Sequence, residues 1–461
     1  MSATNASIID AAEFHGRLIH PGDATYDESR SVFNALIDRS PAVIARCHDV
    51  SDVVTAVRAA RAKELPLSVY GGGHGVTGSA VIDAGICIDM RDLDAISVNA
   101  AEQTAVVGAG CTWGQVDAAT QEHGLAVTGG RVSSTGVAGL TLGSGSGWLE
   151  RKLGFTCDNL LSVQVVTADA RVVTASETEN ADLFWALRGG GGNFGIATEF
   201  TFRVSPIGPI VLGGLLLYPA AMATDVVRHW RDFMMDAPDE VGSGLAFITA
   251  PPADFVPEPA RGKPVIGIII CYAGDIEAGQ KVLAPLLEFG PPAVNMVQPM
   301  PYVAVQQMID HGNEKGANNY WSGDFIAELP DKAVDALIDV ATVPVSPMTQ
   351  VILVRGGGAI ARVAEDDTAF GQRDAAWNIH YLSMWTDDAD TDKNIAYTRE
   401  LVASLKPWTT GRLYLNFIGD EGPGRVAAAF GPEKFEKLQQ LKAKWDPDNL
   451  FRNNQNIPPA T

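Results

Sequence analysis

The sequence predicts an α+β protein of two domains, and three observations predict it. Over the first 205 residues, strand-length apolar runs alternate with helical periodicities. From residue 206, proline-rich segments at 205–209, 251–264 and 291–301 separate longer amphipathic stretches from apolar strands. The chain has 461 residues, 46% of them hydrophobic and 19% charged, which suits about three ordinary domains or two larger ones and excludes wholesale disorder.

In the first stretch, residues 42–46 (AVIAR) read as a short buried strand. A helix follows over 51–63 with Ser51 as its expected N-cap, and Val53, Val54, Val57 and Ala60 share one face. Leu67–Tyr70, 85–89 and Thr104–Gly108 are further strands. Residues 160–167 and 171–174 form a hairpin around 168–170, 182–187 is a short helix, and 196–204 alternates as a strand should. In the second stretch, helices are expected at 223–235, at 276–287 with Pro285 breaking it, at 332–340 and at 392–405. Strands are expected at 244–248, 265–271, 350–354 and 379–385, so this stretch has a core of its own. Residues 414–461 close with a helix over 432–444 and a proline-bounded tail.

Charge narrows the partners. Lys and Arg number 34 against 55 Asp and Glu, a formal charge of −21. Repulsion on that scale opposes nucleic acid and anionic membrane surfaces, so neither is expected. No apolar run reaches the ~18 residues of a spanning helix. Residues 1–18 lack the basic start and apolar centre of a signal peptide. The cysteines at 47, 87, 111, 157 and 271 are odd in number and form no CxxC, which argues for free thiols in a cytoplasmic protein. His15, His20, His48, His123, His229 and His311 show no metal-ligand spacing, and no metal is expected.

The 47 glycines carry the functional signal, because they cluster. Gly71-Gly72-Gly73-His74-Gly75 follows a strand directly. Without Cβ atoms, its N–H groups can converge on an anion such as a pyrophosphate. His74 stands there as a base, ligand or nucleophile. A second tract, 128–147, holds seven glycines in twenty residues and almost no charge, which fits a loop wrapped around a large planar ligand. Arg188–Gly195 is a third, with another backbone nest. Gly108–Gly114 is GxGxxxG, one residue too long for a dinucleotide fingerprint, and no acidic residue follows at the required distance.

Four segments in order then point to one family. LSVYGGGHG (67–75), GVAGLTLGSGSGWLERKLGFTCDNLLSVQVVTADA (136–170), DLFWALRGGGGNFGIATEF (182–200) and LKAKWDPDNLFRNNQNIPP (441–459) resemble the berberine-bridge-enzyme-like oxidases of the vanillyl-alcohol-oxidase, or PCMH-type, FAD superfamily. The bacterial branch with 6-hydroxy-D-nicotine oxidase and natural-product tailoring oxidases is the nearest in pattern. The resemblance covers residues 20–207 and 410–461, and the middle loosely.

It implies a two-domain PCMH-type α+β fold. Residues 1–207 with 414–461 would bind FAD, with a core over about 38–207, and 208–413 would be an inserted substrate domain whose antiparallel sheet is covered by helices. It implies FAD bonded covalently through His74. The second, cysteinyl link of many members is not expected, since Val132 stands at that position. Gly71, Gly72, Gly73, Gly75, Thr128, Gly129, Ser134, Thr135, Gly136, Gly139, Gly143, Gly145 and Ile196 would wrap the cofactor, and Asn454 and Asn456 would return the tail to it. Thr135 stands where plant members gate oxygen, and its small size favours an oxidase. The implied reaction moves a hydride from a small alcohol, amine, phenolic or natural-product intermediate to flavin N5, with O2 as acceptor giving H2O2. A flavin-loaded sequestration protein of the resistance type is the alternative. A homodimer is compatible with either.

RLYLNF (412–417) carries a Tyr-x-Asn spaced as in members with a tyrosine base. On a strand, Tyr414 and Asn416 would share a face, with Arg151 or Lys152 as the cation that lowers the tyrosine pKa. Trp148, Tyr320, Arg355 and His380 are the candidate substrate-pocket residues.

Overall fold

Three of the four sheets among the described residues carry the glycine loops and the amphipathic helices, the fourth being the short pair Leu125–Ala126 and Ser205–Pro206. The computed structural model describes residues 8–461, so part of the segment read for a targeting signal lies outside the described residues. The first sheet orders its strands Arg17–Ile19, Val43–Arg46, Ile86–Asp89, Leu67–Tyr70. The last three run parallel and the first joins antiparallel. The helix Val50–Ala62 covers this sheet with Val53, Ala56, Val57 and Ala60 buried. Its N-cap is Asp49 rather than Ser51: the Asp49 carboxylate accepts from the Asp52 N–H at 3.1 Å, and Ser51 Oγ donates to that same carboxylate at 2.6 Å.

The second sheet is antiparallel, in the order Ile96–Asn99, Thr104–Gly108, Ile196–Arg203, Leu160–Val166, Val172–Ser176. Alternation is plain in Ile196–Arg203, where Phe200 and Phe202 are buried and Glu199 and Arg203 exposed. One hydrophobic core joins both sheets to Tyr414, Phe430, Leu438, Trp445, Phe451 and Ile457 from the end of the chain. Buried Lys442 fastens that end by donating to the Asn193 carbonyl at 2.7 Å, the Phe451 carbonyl at 2.9 Å and the Asp446 carboxylate at 2.7 Å.

The third sheet runs Val294–Asn295, Ile210–Pro219, Pro264–Tyr272, Val241–Thr249, Gln350–Arg355, Trp377–Trp385, Asn318–Ile326, with Gln298–Pro301 also paired to Ile210–Pro219. The pairings between its neighbours are antiparallel. Ile210–Pro219 and Asn318–Ile326 were not expected as strands. Gly213-Gly214 and flanking prolines disguise the first, and polar Asn318, Asn319 and Ser322 the second. Pro285 lies within the last turn of Ile276–Leu287 without breaking it, since the helix ends two residues later and little of its hydrogen-bond ladder is lost.

Strand parity sets the two faces of this sheet. Val351, Leu353, Trp377, Ile379 and Tyr381 point to a core with Val226, Trp230, Leu337 and Leu401 of the helices Ala223–Asp236, Asp331–Ala341 and Thr391–Leu405. Burying each such side chain is worth about 1.5–3 kcal/mol, so this face holds the sheet to its helices. The alternate positions, Ile352, Val354, Asn378, His380 and Leu382, line a cavity.

Candidate active site

That cavity is walled on its other sides by the glycine loops. Gly71–Gly75, Gly130–Val132, Thr135, Gly136, Gly139, Gly143, Gly189–Asn193, Ile196, Tyr414–Ile418 and Asn453–Gln455 line it together with the sheet. The strand Leu67–Tyr70 delivers the first loop, and the helix Val137–Leu142 starts inside the second. Gly72 and Gly136 must both be glycine: a Cβ on Gly72 would stand 2.3 Å from the Gly136 nitrogen, and one on Gly136 would stand 2.4 Å from the Gly72 nitrogen. At Gly75, Gly139 and Gly192 a Cβ would meet nothing within 4 Å, so the bare backbone there faces the open cavity.

His74 stacks on Phe33, with ring centroids 4.1 Å apart and an interplanar angle of 18°. Its Nε2 is shielded and has no hydrogen-bond partner among the described residues. Burial pushes its pKa down to about 4, so the imidazole is neutral near pH 7 and keeps a lone pair.

Tyr414 does not lie on a strand. It directly precedes the short 3-10 turn Leu415–Phe417, which ends any extended run there. The turn still brings Asn416 to it: Asn416 Nδ2 donates to Tyr414 Oη at 3.1 Å and to the Leu140 carbonyl at 3.1 Å. The N–H groups of Gly145 and Ser146 also donate to Tyr414 Oη, at 2.9 and 3.0 Å. Gly145 has φ +83°, which helps aim that pair. The expected cations are elsewhere. Arg151 donates to the Gly356 and Ala237 carbonyls, and Lys152 to the Ala273 carbonyl. Burial pushes Tyr414 up to about 12, against the pull of Asn416 and the Gly145 N–H.

Behind this group stands a network that sequence reasoning missed. Ser146 Oγ donates to Glu150, which also accepts the Gly147 N–H at 3.0 Å. Arg131 pairs with Glu150 at 3.2 Å and donates to Ser146 Oγ at 2.9 Å. Arg131 is the one charged residue of the 128–147 tract, and that was the available signal.

Other expected residues lie off the cavity wall. Thr128 donates to the Gly154 carbonyl at 2.7 Å, a Cβ on Gly129 would stand 2.5 Å from Trp113, and Ser134 is exposed to solvent. These three, with Gly145, shape the loop from behind or outside. Asn454 lines the cavity, whereas Asn456 does not. Trp148 lies under Arg131, 4.8 Å from ring centroid to guanidinium, and against Gly244. Arg355 and Tyr320 have the wrong parity. Arg355 donates to the Ala376 carbonyl at 2.6 Å, and Tyr320 pairs with Ser383, whose hydroxyl accepts from helix residue Thr398. His380 alone of the four pocket candidates lines the cavity, stacked on Phe417 at 4.0 Å. Asn378, Asn313 and Gln455 line it unforeseen.

Among the described residues, one group of metal-capable side chains gathers, His15, Asp49 and Asp52, far from these loops in sequence. Asp52 is already taken by the N–H groups of His15, Gly16 and His48. No described helix is long and apolar enough to cross a membrane. The five cysteines are buried and free.

Known proteins resemble this chain in sequence and in fold. Residues 41–176 match the FAD binding domain family, and residues 413–458 the family described as berberine and berberine like. The chain is 31% identical over 449 residues to an FAD-linked oxidoreductase of Dictyostelium discoideum, covering 96% of this chain and 95% of that one. It is 30% identical over 458 residues to the uncharacterized FAD-linked oxidoreductase YgaK of Bacillus subtilis, covering 98% of each. The crystal structure of 6-hydroxy-D-nicotine oxidase from Arthrobacter nicotinovorans superposes with a TM-score of 0.89 at 26% identity, over 99% of this chain and 100% of that one. The chain is thus an FAD-linked oxidoreductase and belongs to the berberine-bridge-enzyme-like family.

Proposed function

We propose that this enzyme is an oxidase that carries FAD on His74 and uses Tyr414 as the base toward a small organic substrate. The observation that carries the reading is the convergence of His74, the bare backbone of Gly75, Gly139 and Gly192, and the Tyr414–Asn416 pair on one cavity. The residues fit the cofactor. A neutral His74 with an unpartnered Nε2 suits attachment, and the unpartnered Oδ1 of Asn454 suits a polar contact. Gly71–Gly75, Thr135, Gly136, Gly139, Gly143, Gly189–Asn193, Ile196 and Asn454 would hold FAD, with Thr128, Gly129, Ser134 and Gly145 supporting the loop and Asn456 the tail. Val132 supplies no thiol, so the bond at His74 would be the single link.

The chemistry that bound FAD supplies is hydride acceptance, with dioxygen as the final acceptor and hydrogen peroxide as product. The protein supplies orientation and a proton acceptor. Tyr414 Oη takes the substrate proton, and the Gly145, Ser146 and Asn416 donors stabilise the charged oxygen in place of a cation. Glu150 and Arg131 fix the loop that presents those N–H groups. Residues 1–207 with 414–461 form the flavin-holding part and 208–413 the substrate part. One core within Leu212–Leu405 supports that division, and the other, which joins Ile9–Val204 to Tyr414–Ile457, also takes in Phe325, Ile360, Ala369, Phe370 and Ala375 as the seam between the two parts. Buried free thiols suit a cytoplasmic setting.

Acid precipitation followed by peptide mass analysis tests the attachment. Flavin retained in the pellet on the His74 peptide is expected, and flavin freed into the supernatant would overturn it. Peroxide release under air, matched to substrate consumed, tests the acceptor.

A further inference from the structure

The sheet side of the cavity says what kind of molecule it accepts. Ile309, Trp321, Ile352, Val354, Leu382 and Phe417 make it largely apolar. Among the described residues lining the whole cavity there is no Asp, Glu or Lys, and Arg131 is the one charged side chain. That charge is already neutralised by an ion pair, although its shielded Nε has no partner among the described residues. It pairs with Glu150 at 3.2 Å and donates to Ser146 Oγ and to the Gly147 carbonyl at 2.9 and 3.3 Å. A substrate carboxylate or ammonium would therefore be desolvated without a free partner, which is costly in a closed site.

Two polar atoms on the same wall remain unanswered. Asn378 Oδ1 and His380 Nε2 are shielded and lack partners among the described residues. The residues are two apart on one strand, opposite Val354 and Ile352 in the register, so both side chains stand on the cavity face. Burial holds His380 neutral, and the Phe417 backbone favours an N–H on one ring nitrogen. The ring nitrogen without a partner is then a lone pair, and both orphans are acceptors. The other wall amides use their donors within the protein: Asn313 donates to the Ile309 carbonyl at 2.9 Å, Asn416 to the Leu140 carbonyl at 3.1 Å and Gln455 to the Leu415 carbonyl at 2.8 Å. Two acceptors cannot satisfy the many hydroxyls of a sugar, each of which needs a partner when buried.

We propose that the substrate is an uncharged, mostly apolar ring compound bearing one hydrogen-bond donor, a hydroxyl or N–H, which Asn378 and His380 accept. Trp321 and the Phe417–His380 stack supply flat surfaces for the ring. The inference rests on the oxidoreductase reading above and assigns the substrate class of that same site.

The test is ligand binding to the purified flavin-loaded enzyme without oxygen, read by flavin absorbance and by tryptophan fluorescence. The probes are 2-naphthol, 2-naphthoate, 2-naphthylmethylammonium, 2-methylnaphthalene and cellobiose. 2-Naphthol should bind at least about tenfold more tightly than the charged rings and cellobiose. Asn378→Leu should weaken 2-naphthol by about five- to tenfold while leaving 2-methylnaphthalene unchanged, His380→Leu should weaken 2-naphthol by about five- to tenfold more than it weakens 2-methylnaphthalene, and His380→Gln should restore most of that difference. Should His380→Leu not fold, Asn378→Leu and the wild-type ranking decide. Equal or tighter binding of a charged ring or of cellobiose would overturn the inference. So would parallel losses for both neutral rings, or no binding of either. An enzyme that oxidises only a charged substrate keeps the oxidase reading and loses this one, whereas absence of retained flavin strikes the former.

Discussion

Asp117 couples two helices that lie far apart in the sequence. It is buried where the helix Trp113–Gln121 meets the short helix Tyr302–Gln306. Gln306 Nε2 donates to Asp117 Oδ2 at 3.0 Å and to the Gly130 carbonyl at 3.3 Å, next to Arg131 on the cavity wall. Asp117 Oδ1 and Gln306 Oε1 are both shielded without partners among the described residues. A proton on the carboxyl answers both, because an acid facing an amide needs one O–H to complete the pair. Burial, aided by the Asp310 charge and opposed by Gln306, pushes Asp117 from 3.8 up to about 7.

Between those two values the native carboxyl keeps a proton that the unfolded one has released. The native state binds more protons, so stability falls as pH rises through this window, is intact below it and is lost above about 7. A gap of about three pKa units at about 1.4 kcal/mol each is roughly 4 kcal/mol. Asp117→Asn stays neutral and presents an N–H to Gln306. The variant should match the wild type near pH 4 and exceed it by up to about 4 kcal/mol near pH 8.5. Urea unfolding of both proteins at fixed protein and FAD concentration measures that difference at each pH, and other titrating groups cancel in the comparison. A difference that does not change with pH, or a variant weaker at both ends, refutes the reasoning.

Tyr414→Phe should slow flavin reduction by about 10²- to 10⁴-fold while flavin content holds, as seen by stopped-flow. Because a base acts deprotonated and burial raises Tyr414 to about 12, wild-type reduction should climb with pH through the alkaline range and the variant's should stay flat. Gly143→Ala puts a Cβ 2.1 Å from Asn416 Oδ1, so it should displace Asn416 and slow reduction in the same assay without abolishing folding. Asp446→Asn leaves fully buried Lys442 unpaired and should cost about 3–5 kcal/mol, visible as a lower urea midpoint. His74→Ala should bind flavin that acid precipitation releases completely.

Legibility followed the kind of signal each residue carries. The glycine-loop side of the cavity was readable because backbone demands leave a local trace. Gly72 and Gly136 touch at a distance no Cβ permits, and His74 stands within the same tract of sequence. The sheet side was not readable, because its lining is set by strand parity across a sheet formed from distant segments. His380 was named but its neighbour Asn378 was not, and Arg355 was named although odd positions of its strand face the helices. The Tyr414–Asn416 pair shows the same limit. Tyr-x-Asn could be read, yet the strand and the cation expected around it are replaced by a turn and two backbone N–H groups that lie 268 and 269 residues away along the chain. That replacement has a chemical consequence. A neutral phenol oxygen has two lone pairs, and three donors converge on this one. The geometry completes its hydrogen bonds only for the ionised oxygen, while burial opposes ionisation. In the proposed reaction that oxygen is neutral at rest and most fully hydrogen-bonded once ionised, with no fixed positive charge beside it, which leaves paired Arg131 as the one charged side chain on the cavity wall.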